Sequence, residues 1–155
     1  MINLEQRHSK WMGFAFSQAQ KAYDSNEVPV GAVVVYNDKI IGRGHNQKEQ
    51  LNDPTAHAEI IAITAATNTI NDWRLIDCEL YVTKEPCPMC AGALLQARVK
   101  RVVYGAKDLR WGALTKTNML DEGCFNHHLE CVYIPYKPAE LLLKHFFAVR
   151  RKKQH

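Results

Sequence analysis

Thr55-Ala56-His57-Ala58-Glu59 and Glu85-Pro86-Cys87-Pro88-Met89-Cys90 together demand a fold that brings two separated stretches to one point. An imidazole and two thiolates are donors that zinc takes up, and three protein ligands leave its fourth tetrahedral position open to water or substrate. An open position separates a catalytic zinc from a structural one. Glu59 adds a base for the proton of an activated water, which a structural centre has no use for.

The spacing sets the local structure. Residues two apart on a regular helix point to nearly opposite sides, so His57 and Glu59 can share a site only from a helix start. Asp53-Pro54-Thr55 supplies cap chemistry there, and Ile60, Ile61, Ile63 and Ala66 form the apolar run that follows. Pro88 suits a first helical position, which puts Cys87 at the cap and Cys90 three residues on along the same face. Two helix N-termini then favour thiolate over thiol. A C-x-x-C alone also fits a redox pair or half of a structural zinc knuckle. A four-ligand structural site would need Cys78, Cys124, Cys131 or a second histidine, and none of these sits in a ligand-like pair. Cys78 shares parity with Leu80 and Val82, as a small core residue does. In this order, H-x-E followed by P-C-x-x-C is the pattern of nucleobase deaminases.

The remainder reads as one domain over residues 1–155, with 46% hydrophobic and 23% charged residues, as in a soluble globular chain. No internal repeat or apolar run of membrane-spanning length is present. Five cysteines, two of them assigned to metal and the rest scattered, fit a reducing cytosol and hence a cytoplasmic location. Leu4, His8, Trp11, Ala15, Ala19 and Ala22, with Met12, Phe16 and Tyr23, trace the buried stripe of a first helix ending near Ser25. Residues 30–36 and 39–44 flank an Asn37-Asp38 turn as an antiparallel hairpin. Residues 79–83, 101–104 and 129–134 read as further strands, and a last helix begins near Pro138. Strands alternating with helices predict crossover connections and parallel pairing, hence a mixed sheet with helices on both faces and a site at strand ends.

Beyond the metal motif, the runs Glu27-Val28-Pro29-Val30-Gly31-Ala32-Val33, Asp53-Pro54-Thr55-Ala56-His57-Ala58-Glu59-Ile60, Arg74-Leu75-Ile76-Asp77, Leu80-Tyr81-Val82-Thr83 and Arg101-Val102-Val103-Tyr104-Gly105-Ala106-Lys107-Asp108 closely resemble the bacterial tRNA-specific adenosine deaminases. The similarity runs from about Trp11 to Arg151. It implies a cytidine deaminase-like three-layer α/β/α fold with a central mixed five-stranded sheet, one Zn2+ per chain, and a homodimer. The implied reaction converts adenosine to inosine at the wobble position of a tRNA anticodon stem-loop. By position, the resemblance assigns His57, Cys87 and Cys90 to zinc, Glu59 to proton transfer and Asn46 to the target nucleotide. Val30, Ala58 and Pro86 match pocket-wall positions, and Asp108 a position near the substrate backbone. Asn126-His127 resembles the family's Asn-His pair. The chain departs from the family at Leu109-Arg110-Trp111, across residues 116–124, and at His128, where arginine is common.

The C-terminus points to RNA independently. Arg150, Arg151, Lys152 and Lys153 carry as much positive charge as the whole chain's net +4. Phe147, beside Phe146, either offers an aromatic surface to splayed bases or continues the Leu142-Leu143 core face. The cations equally suit a helix C-terminus. The expected chemistry is attack of activated water at adenine C6 while Glu59 carries a proton to N1. Two thiolates make the zinc a weaker Lewis acid and raise the demand on Glu59. A free-base or nucleoside deaminase acting on guanine or cytosine would use the same metal chemistry. A non-catalytic zinc-stabilised RNA-binding protein would not need Glu59.

Overall fold

The computed structural model describes residues 2–114 and 125–153. A capping box opens α1 (Leu4–Asp24): the Gln6 N–H donates to Asn3 Oδ1 at 2.8 Å, and the Asn3 N–H donates to Gln6 Oε1 at 3.0 Å. Its buried stripe holds Trp11, Met12, Ala15, Ala19 and Ala22. Leu4, expected in that stripe, is 64% exposed, because the buried side of the helix begins only at His8.

The hairpin forms as expected. β1 (Gly31–Tyr36) and β2 (Lys39–His45) meet at Asn37 and Asp38, whose φ values of 48° and 57° are those of a two-residue turn matched to strand twist. β1 also pairs antiparallel with β3 (Glu79–Val82), while β3 with β4 (Arg101–Tyr104) and β4 with β5 (Glu130–Tyr133) run parallel. The sheet order is β2-β1-β3-β4-β5. Helices α3 (Ala58–Ile70) and α4 (Pro88–Gln96) cover one face through Ala62, Ala66, Leu94 and Leu95; α1 covers the other against Val33, Val35, Tyr81 and Val103. Helix α5 (Lys137–Lys153) leans on α1, where Tyr23 meets Phe146 edge-on. The mixed five-stranded, three-layer α/β/α architecture is the one expected, and Cys78 is a buried core residue as its parity implied.

Two local expectations change. Asp53 does not cap α3; it accepts the N–H and hydroxyl of Thr55 at 2.8 and 2.7 Å, and the helix starts from His57 with no side-chain cap. A short α2 (Lys48–Leu51) also follows β2 where no helix was foreseen. Four residues give no periodicity to read.

Glycines bring α3 down onto the hairpin. A Cβ at Gly44 would lie 2.3 Å from the Ala58 carbonyl oxygen, and one at Gly42 2.4 Å from that of Ala62. The alanine face Ala58, Ala62 and Ala66 therefore rests directly on β2. The carboxyl ends of β2, β3 and β4 and the start of β1 lie at one edge of the sheet, and the metal-ligand segments leave from that edge.

Candidate active site

His57 and Cys87 occupy the N-cap positions of α3 and α4, with Pro88 at the first helical turn. Neither side chain caps its own helix, so both are free to face each other. His57 Nδ1 lies 3.7 Å from Cys87 Sγ and 3.6 Å from Cys90 Sγ, and the three ligand atoms fall within 4.8 Å of one another. Zn–N and Zn–S bonds of about 2.05 and 2.3 Å at a tetrahedral angle put N and S about 3.6 Å apart. The triad is thus already spaced for one tetrahedral metal ion, and its donor set is one that zinc prefers.

The protons of the triad are arranged for the same purpose. The Cys90 thiol hydrogen bond, against the opposing effect of burial and with help from His57, brings the Cys87 thiol down to about 4. Cys90 moves the other way, held protonated by its bond to Cys87 and by burial. His57 is raised by its bond to Cys87, more than burial lowers it. A cation arriving here meets one thiolate and displaces the remaining protons.

Glu59 is the second residue of α3, two positions past His57, and is 4% exposed. Burial pushes its carboxyl up, and the Cys90 thiol interacts with it. A metal charge beside it would act in the opposite sense, favouring carboxylate. A carboxyl pulled both ways can both accept and return a proton.

These groups open onto a cleft of about 350 Å³. Of the residues singled out in the sequence, Val30, Asn46, His57, Ala58, Glu59, Cys87, Asp108 and Arg150 line it. Asn46, just beyond β2, is 8% exposed, and its Oδ1 has no hydrogen-bond partner among the described residues. An orphaned buried acceptor in a cleft is a place for a ligand's N–H or O–H. Asp108 is engaged: Oδ1 accepts the N–H groups of Arg110 and Trp111 at 2.9 and 3.1 Å, and Oδ2 pairs with Lys84 at 3.0 Å. Arg150 donates to the Asn26 carbonyl at 2.9 Å and covers the Phe146 ring at 4.6 Å.

Three expected residues lie elsewhere. Pro86 is buried behind Cys87, outside the cleft lining, with its carbonyl accepting the Ala113 N–H at 3.0 Å. Phe147 is 40% exposed and meets Phe146 edge-on at 5.4 Å, and it does not reach the cleft. Phe146 is the one that joins the core. Arg151 is exposed and turned away from the cleft, since about 100° of helix rotation separates it from Arg150. Among possible fourth ligands, Cys78 and Cys131 stand outside the triad and Cys124 lies outside the described residues, as do the divergent residues 116–124.

Sequence reasoning passed over two buried carboxylates. Glu27 accepts the N–H groups of Glu49 and Gln50 at 3.0 and 2.8 Å and so holds α2 against the cleft. Glu85 accepts those of Asp108 and Leu114 at 3.1 and 3.0 Å, holding residues 108–114 to the segment before Cys87. An acid next to an apolar run, as in Glu27-Val28 and Glu85-Pro86, was the available signal.

The MafB19-like deaminase family model matches residues 6–151. The tRNA-specific adenosine deaminase of Bacillus subtilis (strain 168) is 44% identical over 93% of this chain and 91% of its own. A solved tRNA:A34 deaminase of A-to-I editing superposes with a TM-score of 0.79 at 37% identity, covering 83% of this chain and 99% of that one. A guanine deaminase from Bacillus subtilis covers 64% of each chain at 41% identity with a TM-score of 0.62. The zinc-spaced triad, the buried glutamate beside it and these likenesses converge: the chain belongs to the MafB19-like deaminases and, among them, to the tRNA-specific adenosine deaminases.

Proposed function

We propose that this protein deaminates adenosine to inosine at the wobble position of a tRNA anticodon, as a single-domain, zinc-dependent, cytoplasmic homodimer. The observation that carries the reading is the orphaned Asn46 oxygen on the wall of the same cleft as His57, Cys87 and Glu59, with Cys90 buried beside them. His57, Cys87 and Cys90 would hold the zinc, which when bound supplies Lewis acidity that makes water a nucleophile at neutral pH. Support for zinc is the donor set and its 3.6 to 3.7 Å spacing.

The chain's own groups do the rest. Asn46, Val30 and Ala58 receive the flipped nucleotide, with Val30 and Ala58 supplying apolar wall and Asn46 its unpaired acceptor. Glu59 takes one proton from the attacking water and delivers it to adenine N1 as the C6–O bond forms. It then passes a second proton to the departing nitrogen, so that adenosine and water leave as inosine and ammonia. Burial around Glu59 keeps bulk water from competing for these protons. Support for RNA over a free base is the cationic rim: Lys48 and Arg150 line the cleft, and Arg151, Lys152 and Lys153 extend the charge beyond it. No helix among the described residues is long and apolar enough to cross a membrane.

Transcribed tRNAs incubated with the protein and sequenced for inosine test the reading. Conversion confined to the wobble adenosine is expected. Ammonia release from guanine or cytosine with no conversion of any tRNA would replace this function with the free-base alternative.

A further inference from the structure

We propose that Trp111 is a stacking platform for the base of a nucleotide next to the one that enters the cleft, and so sets which RNA strands bind productively. The inference rests on the tRNA reading above. The three tryptophans differ sharply in their surroundings. Trp11 is core, and Trp73 is covered by the guanidinium of Arg74 at 4.6 Å and approached by that of Arg98 at 5.9 Å. Trp111 lines the cleft, is 70% exposed, and has no ring or cation partner among the described residues. A large indole left in water on the cleft gains little burial energy on folding, so its apolar surface stays available to a ligand.

Its backbone is not free to turn it inward. The Trp111 and Arg110 N–H groups donate to Asp108 Oδ1, and the Gly112 N–H donates to the Asp108 carbonyl at 3.2 Å. Glu85, 2% exposed, accepts from Asp108 and Leu114 on either side, and the Ala113 N–H donates to the Pro86 carbonyl. Gly112 is required by this clamp, since a Cβ there would lie 2.3 Å from Glu85 Oε2. The loop is thus tied at several points to the residues immediately before Cys87. Trp111 is presented at a fixed offset from the triad.

A rigid, unpartnered indole beside a cationic cleft fits the exposed π-face of an unstacked base in single-stranded RNA. The flipped nucleotide occupies the cleft, so the base that meets Trp111 is a neighbour. Lys48 and Arg150 on the same cleft serve the phosphates between them.

The test compares wild type, W111A and W111F on an anticodon stem-loop, with an abasic residue replacing either neighbour of the wobble adenosine. W111A is expected to lower kcat/KM roughly 5- to 150-fold, mostly through KM, the span of one base–aromatic stack. W111F is expected to retain most of the activity. An abasic neighbour on one side should cost wild type a similar factor and cost W111A nothing further. Binding should quench tryptophan fluorescence in wild type and not in W111F, which reads the contact even if the stem-loop is never converted. Unchanged kcat/KM in W111A would overturn the proposal, as would losses that multiply independently at both neighbours. W111A sedimenting with half the wild-type mass, with multiplying losses, would reassign Trp111 to a subunit contact.

Discussion

Adding one methyl group at Gly44 should damage the site without touching it. A Cβ there would lie 2.3 Å from the Ala58 carbonyl oxygen and 2.6 Å from the Ala62 nitrogen. Both atoms are backbone, so no side chain can rotate away. The shorter contact falls about 1.1 Å below the 3.4 Å at which ordinary van der Waals contact begins. Either the first turn of α3 lifts by that amount or β2 bends. Ala58 sits between His57 and Glu59, so lifting the turn carries both with it. Overpacking of this kind costs about 1 to 3 kcal/mol, which in a domain of this size lowers Tm by roughly 2 to 12 °C. A displacement of about 1 Å at reacting groups costs on the order of 100-fold in rate. Thermal melts, zinc per chain and kcat/KM would be measured for G44A beside G13A. Gly13 lies within α1 and, among the described residues, its would-be Cβ meets only Tyr136 Oη, at 3.9 Å, so G13A should gain about 0.5 to 1 kcal/mol. A G44A protein that melts and turns over like wild type would refute the argument that α3 is seated by glycine. So would a G13A protein that is damaged as much.

Three further outcomes follow from the same geometry. Burial alone would raise the Glu79 carboxyl, but hydrogen bonds from Arg7 and Arg101 more than offset it and hold it below the usual range. The stability this adds is complete above the unfolded carboxyl value of about 4.3 and is lost as pH falls through the depressed folded value. E79Q should therefore cost about 2 kcal/mol at pH 7 and progressively less toward pH 3 in urea melts; an equal cost at both would count against it. E27Q keeps one acceptor of two at α2 and should raise KM for the stem-loop several-fold with little change in kcat, and a fall in kcat alone would contradict that role. Removing residues 150–155 should weaken tRNA binding at low salt and flatten its salt dependence by about 0.7 to 0.9 log units of slope per lost phosphate contact. An unchanged slope would exclude the tail as an RNA contact.

Long elements with a strong period were legible. The α1 stripe, the Asn37-Asp38 hairpin and the parallel β3 and β4 were all readable from apolar spacing and turn chemistry, because burial on one face dictates both. The metal triad was legible for a different reason: few residue types bind zinc, and Pro88 fixed where α4 begins. What escaped was set by single contacts. Asp53 satisfies Thr55 instead of the α3 terminus, a choice between two nearby donors that composition does not decide. Glu27 and Glu85 look like surface acids in sequence, yet each is buried by backbone N–H groups 22 to 29 residues away. Tail residues were readable as a charge cluster but not by helix face, and so Arg150 reaches the cleft while Arg151 and Phe147 do not.

The most direct measurement incubates an anticodon stem-loop carrying a wobble adenosine with wild type and with E59Q, each first assayed for metal, and follows the amine-to-oxo exchange by intact mass. Wild type should convert the stem-loop, and E59Q should carry the same one zinc per chain, bind the RNA as tightly, and convert it about 100- to 10,000-fold more slowly. An E59Q protein of near-native rate would place the proton transfer in another group. A wild-type protein that holds zinc and RNA but leaves the adenosine unchanged would contradict the assigned reaction itself.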